Sequence, residues 1–183
     1  NGRERVRGDH IFVDKGSYHF RKPRRGEVIV FETDNIREMG REPPEYPWLF
    51  VRWPDSLVGH SQPIVRPSAS DNYDFEGELA VVIGKMAHRV GAAAALEHVA
   101  GYCCLNDGSI RDFQRHSGQF TAGKNFWRSG AMGPWLVTAD EVGDPAALEL
   151  ETRLNGEVMQ SAPTSDLIFD IPKLIEYCST FAR

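Results

Sequence analysis

A chain of 183 residues with 41% hydrophobic content has the size and composition of one globular domain. Its formal charge of −5 gives no reason to expect nucleic acid as a partner, and no apolar run approaches the roughly 20 residues that cross a bilayer. Cys103, Cys104 and Cys178 make neither a disulfide framework nor a zinc spacing, so they read as reduced core residues and a cytoplasmic location is expected.

In chain order, residues 1–26 carry eight Lys or Arg against three acidic groups. The strand-like patches His10-Ile11-Phe12-Val13 and Tyr18-His19-Phe20 interrupt them. The segment reads as a solvated basic arm or small hairpin ahead of one domain over 27–183. Glu27 to Phe31 has the composition of a strand, and Asp34 is placed to cap one or two helical turns through Met39 that Gly40 ends. Pro43, Pro44 and Pro47 force an extended loop. Trp48 to Arg52 reads as the next strand, and Pro63 to Pro67 as a further apolar one.

The stretch Asp74-Phe75-Glu76-Gly77-Glu78-Leu79-Ala80-Val81-Val82-Ile83-Gly84-Lys85 organises the rest. Leu79 to Ile83 is a continuous apolar run with a glycine stop, the pattern of a buried strand. Strand periodicity puts Glu76 and Glu78 on one face, continued by Ala80 and Val82. Two carboxylates at the mouth of such a strand repel each other and resist burial. A hard divalent cation would remove both penalties. From these residues alone, a strand that simply begins in solvent explains the pair equally well.

Ala92 to Ala100, alanine-rich between Gly91 and Gly101, reads as a helix with Leu96 and Val99 on one face. Gly101 to Leu105 is a second apolar strand that runs into Asn106-Asp107. Asp107 sits where the backbone leaves it, a common place for residues that do chemistry. A polar connection, Ser109 to His116, and then Thr121-Ala122-Gly123-Lys124-Asn125-Phe126 follow. On the residues alone Lys124 is a surface lysine in a glycine-containing loop, while His60, His98 and His116 are surface or satisfied histidines. Met132 to Val137 reads as a strand. Leu148 to Leu154 alternates apolar and polar residues, with Glu149 and Glu151 outward, and meets Asn155-Gly156, the strongest short hairpin signal. Asp170 followed by Pro172 opens a capped helix.

Together these segments resemble the fumarylacetoacetate hydrolase family. Its Glu-x-Glu pair, downstream Asn-Asp, Arg-Asp-x-Gln and Gly-Lys-x-Phe recur here in order at Glu76/Glu78, Asn106-Asp107, Arg111 to Gln114 and Gly123 to Phe126. The likeness runs from about Pro43 to Phe181. It implies a mainly β, α+β fold: a mixed β-roll or barrel with a few helices outside. Glu76, Glu78 and Asp107 would be the metal ligands by matching position. Three carboxylates leave room for waters or substrate oxygens in an octahedral shell, which favours Mg²⁺ or Mn²⁺, with Ca²⁺ as a further option, over structural zinc. Lys124 would place an ammonium near a developing oxyanion. Arg111 and Gln114 would hold distal substrate oxygens, and Asp112 would pair with a neighbouring Arg.

The resemblance further implies a homodimer and a small dicarbonyl or 2-oxo acid substrate, with neither nucleic acid nor membrane as partner. Family chains continue through several more strands, so this one is expected to lack the C-terminal part. Where the family has an Asn-Tyr pair, then a water-activating His and Glu, this sequence has Phe31-Glu32, Asn35 and Glu38. An amide orients a water but does not take its proton near neutral pH. The leading expectation is a metal-dependent hydrolase of C–C bonds in acylpyruvate-like acids, acting through a metal-stabilised enolate. A 2-oxo acid decarboxylase or unsaturated-dicarboxylate isomerase on the same metal site is the alternative, and an inactive ligand-binding relative is a third.

Overall fold

The computed structural model describes residues 44–183, together with the backbone of Ile11–Phe12 and Val28–Ile29. The strands are β1 (Ile11–Phe12), β2 (Val28–Ile29), β3 (Leu57–Gly59), β4 (Tyr73–Asp74), β5 (Gly77–Ile83), β6 (Val99–Asn106), β7 (Ser109–Ile110), β8 (Gly130–Met132), β9 (Val137–Thr138), β10 (Glu149–Leu154) and β11 (Glu157–Pro163). The helices are α1 (Arg111–Gln114), α2 (Thr121–Lys124), α3 (Ala139–Val142) and α4 (Ile171–Ser179). The largest sheet runs β2-β5-β6-β8-β3 with β9 also on β6; β1-β10-β11 and β4-β7 form two smaller ones. The β3–β8 pair is parallel and the others antiparallel. The architecture is therefore mixed and sheet-dominated with few helices, as expected, and no barrel closes among the described residues.

Strand β5 is buried along nearly its whole length, which explains its unbroken apolar run. Leu79 and Val81 face Ala95, Val99, Tyr102 and the helix α4. That helix presents Ile171, Leu174, Ile175 and Cys178, one stripe at helical spacing. Asp170 caps it, its Oδ1 accepting from the Lys173 N–H at 2.9 Å. The opposite face of β5 packs Ala80 against Cys103 and Leu105, with Leu57 and Met132 beside them. Burying each Leu or Val of this kind contributes about 1.5–3 kcal/mol. The three thiols are reduced and buried, and burial pushes the Cys103 thiol up to about 12.

Several local expectations are corrected. The Ala92–Ala100 helix is a 3₁₀ segment over Ala92–His98, and Val99 opens β6 by pairing with Ile83. Alanine propensity is a weak prior over so few residues; Ala95 and Val99 are buried and Leu96 is exposed. Trp48 to Arg52 is not a strand. Its backbone is tied down by one side chain instead: Asn125 Oδ1 accepts from Trp53 N–H at 2.6 Å and Nδ2 donates to Val51 O at 2.7 Å. Pro63 to Pro67 stays outside the sheets, since its prolines lack ladder donors. Met132 to Val137 is split between β8 and β9, with Gly133 and Pro134 in the connection. The His10 to Val13 and Glu27 to Phe31 patches contribute β1 and β2; Tyr18 to Phe20 and the helical turn from Asp34 lie outside the described residues.

Candidate metal centre

Antiparallel pairing of β5 with β6 sets the site. The register Gly77↔Asn106 and Glu78↔Leu105 brings the start of one strand against the end of the other. Glu76 just precedes β5 and Asp107 just follows β6, and the Asp107 N–H donates to Glu76 O at 2.8 Å. Asn106 Oδ1 accepts from the Glu76 N–H at 3.3 Å. Carboxylate oxygens of Glu76, Glu78 and Asp107 consequently lie within 4.8 Å of one another. All three residues are buried, Glu78 1% and Asp107 0% exposed. The wet-edge explanation of the glutamate pair is thereby excluded.

Cations surround this cluster. Lys124 is 0% exposed, so it is no surface lysine. Its Nζ donates to Glu76 Oε2 at 2.5 Å and Asp107 Oδ2 at 2.7 Å, and lies 4.8 Å from the Phe50 ring centroid. Gly123 makes that seat possible, because a Cβ there would stand 2.6 Å from the Gln114 backbone nitrogen; α2 packs directly on α1. Arg111 donates through Nε to Asp74 Oδ2 at 2.9 Å, and through Nη1 to Gln114 Oε1 at 3.0 Å and to Glu76 Oε1. Arg111 and Gln114 thus stand together beside the Glu76 carboxylate. Among the described residues Asp112 pairs with no Arg: its Oδ1 accepts from Ser70 Oγ at 2.7 Å and from the Phe113 N–H at 3.0 Å. Asn35 and Glu38 lie outside the described residues.

Sequence reasoning missed Arg52. Its guanidinium donates to Asp107 Oδ1, to Gly108 O at 3.2 Å and to Ser129 Oγ at 2.9 Å. Tyr73, whose hydroxyl donates to Ser129 O at 2.7 Å, also escaped notice. Burial pushes the Tyr73 phenol well above its ordinary range, leaving a neutral donor. An arginine at the end of an aromatic stretch carries no local signal for a contact 55 residues away.

The donor set fits a hard divalent ion: oxygen-only, carboxylate-rich, buried, and convergent. Burial raises the Glu76 carboxyl above its ordinary 4.5, partly offset by Lys124 and Arg111. Because the folded-state pKa is raised, Glu76 contributes stability that is fully present below 4.5 and is lost as pH rises through its folded value. Metal binding needs the ionised form, so protons compete over this raised range. Mn²⁺ affinity measured by calorimetry is expected to keep climbing with pH above about 5, where an ordinary carboxylate is already ionised. A plateau from that pH upward would show that Glu76 does not gate the ion.

The fumarylacetoacetate hydrolase C-terminal family model matches residues 28–183. Oxaloacetate tautomerase YisK of Bacillus subtilis is 42% identical over 164 residues, 86% of this chain and 54% of that protein. The chain thus spans about half the length of the curated relatives it matches. Among solved structures, fumarylpyruvate hydrolase from Pseudomonas aeruginosa in complex with Mn²⁺ and pyruvate superposes with a TM-score of 0.77 at 32% identity, covering 87% of this chain and 72% of that one. A 5-carboxymethyl-2-hydroxymuconate delta-isomerase from Mycobacterium smegmatis gives 0.74 at 38% identity, covering 85% and 62%. Among the described residues no helix is long and apolar enough to cross a membrane. With the acidic cluster at the motif positions and the match running through the sheets that build it, the chain belongs to the fumarylacetoacetate hydrolase family.

Proposed function

We propose that this protein is a divalent-cation-dependent enzyme acting on 2-oxo acids through their enolates, and that keto–enol isomerisation of a small 2-oxo dicarboxylate is its reaction. The observation that carries the reading is the fully buried Lys124 ammonium set among the acidic residues. Glu76, Glu78 and Asp107 would hold Mg²⁺ or Mn²⁺, which supplies Lewis-acid polarisation of a carbonyl oxygen. Lys124 Nζ keeps a fixed positive charge where an enolate oxygen gains electron density. Arg111, with Gln114 beside it, offers the guanidinium suited to a substrate carboxylate. Phe50 and Phe120, in edge contact at 6.3 Å between centroids, add an apolar wall behind Lys124 that limits water.

Cleavage of an acylpyruvate C–C bond is the second reading, favoured by the likeness to the fumarylpyruvate hydrolase. It needs a base to activate water, and Asn35 stands where the family resemblance puts that histidine. The assembly we propose, on the resemblance, is a homodimer. Assays with Mn²⁺ on the full-length protein separate the readings. Accelerated interconversion of oxaloacetate tautomers without pyruvate release supports isomerisation. Pyruvate release from oxaloacetate would mean decarboxylation, and loss of acylpyruvate absorbance without tautomerase activity would establish the hydrolase. No turnover of either substrate, with Mn²⁺ still bound, would leave a binding protein.

A further inference from the structure

We propose that Gln160 is a positioning residue for the Glu76/Glu78 pair: its side-chain amide stands in for a neighbouring strand and pins the Gly77 backbone between the two carboxylates. This rests on the metal-centre reading of that pair. In the β5–β6 ladder, Glu76 turns its peptide groups toward β6, accepting from the Asp107 N–H, so those of Gly77 point to the other edge. Among the described residues, β2 covers that edge only at Val81 and Val82. At Gly77 the cover is Gln160: Oε1 accepts from the Gly77 N–H at 2.9 Å and Nε2 donates to Gly77 O at 2.8 Å. Both bonds of a strand partner are supplied by one amide.

Two features of the hairpin serve this contact. The register passes from Thr152↔Gln160 to Arg153↔Val158, leaving Met159 as an extra residue. Such a bulge re-aims the neighbouring side chain. Thr152 Oγ1 then donates to Gln160 Oε1 at 3.2 Å, fixing which end of the amide faces the N–H. The approach is so close that a Cβ on Gly77 would lie 2.0 Å from Thr152 Oγ1. The Glu-Gly-Glu spacing is thus explained by what presses on its middle residue.

The test uses full-length Gln160→Met, which keeps length but loses both amide contacts, with Leu150→Ala as a control that loosens the same hairpin elsewhere. Mn²⁺ affinity by calorimetry and Gly77 amide exchange by NMR are the readouts. Gln160→Met is expected to bind Mn²⁺ about 10–100-fold more weakly, the usual cost of losing a group that orients a ligand. Its Gly77 amide is expected to exchange faster while those of Val81 and Val82 stay protected. Parental Mn²⁺ affinity in Gln160→Met, or an equal loss in Leu150→Ala, would overturn the proposal. Should the parent itself bind no Mn²⁺, the metal reading falls, and Gly77 exchange alone decides: retained protection refutes the role of Gln160, lost protection upholds it.

Discussion

Replacing Lys124 by Met is expected to cost the metal-free protein about 3–5 kcal/mol, the penalty for removing one partner of a buried charge cluster. Methionine retains much of the stem volume, so packing against Phe50 changes little and the loss reports charge. Lys124 is wholly buried and touches both Glu76 and Asp107; without it, Arg52 still contacts Asp107 and Arg111 still contacts Glu76 among the described residues. A divalent ion restores the missing charge. Mn²⁺ should therefore raise the urea midpoint of Lys124→Met more than that of the parent, by linkage to the folded state. On the isomerase reading kcat falls about 10²–10³-fold, as when one fixed electrostatic contact to a developing oxyanion is lost. Parental stability in EDTA would show that Lys124 is not the internal counter-ion.

Why such a cluster is tolerated at all follows from the ladder. The strands β5 and β6 bury apolar side chains on both faces, and that burial stabilises a register with Glu76, Glu78 and Asp107 at one end. The acidic cluster is thus placed by a core that has no polar role of its own. The acids resist burial individually, and among the described residues Lys124, Arg52 and Arg111 offset part of that cost.

Legibility in the sequence divides along range of interaction. The apolar run of β5, the Asn155-Gly156 hairpin and the capped, periodic α4 were all readable because their signals are local. Trp48 to Arg52 looked like a strand because composition does not reveal that Asn125, 72 residues on, takes the Trp53 N–H. The alanine-rich stretch looked helical because propensity cannot see Ile83 competing for Val99. In the site, Glu76 and Glu78 announce themselves by spacing and Asp107 by its place at a strand end, whereas the ligand role of Asp107 and any role for Lys124 come only from the family resemblance. Arg52 and Gln160 stayed hidden: their partners are 55 and 83 residues away.

Glu78→Gln is expected to separate stability from function most cleanly. Carboxylate oxygens within 4.8 Å of one another repel by about 3 kcal/mol per pair at an effective dielectric of about 20, and Glu78 takes part in two of the three pairs. Neutralising it removes both repulsions and a buried charge, together with the attraction of the cations around the cluster. The glutamine keeps the shape and one oxygen donor but no charge. In EDTA the lost repulsion and the lost attraction oppose each other, so the variant should shift the urea midpoint less than Lys124→Met does. Its Mn²⁺ affinity should fall about a hundredfold or more, since ligand charge sets affinity for hard cations over several decades. Turnover falls with it at limiting metal. The opposite pair of results, an apo-protein destabilised as much as Lys124→Met that still binds Mn²⁺ normally, would mean that Glu78 serves the fold and that the ion is held by other groups.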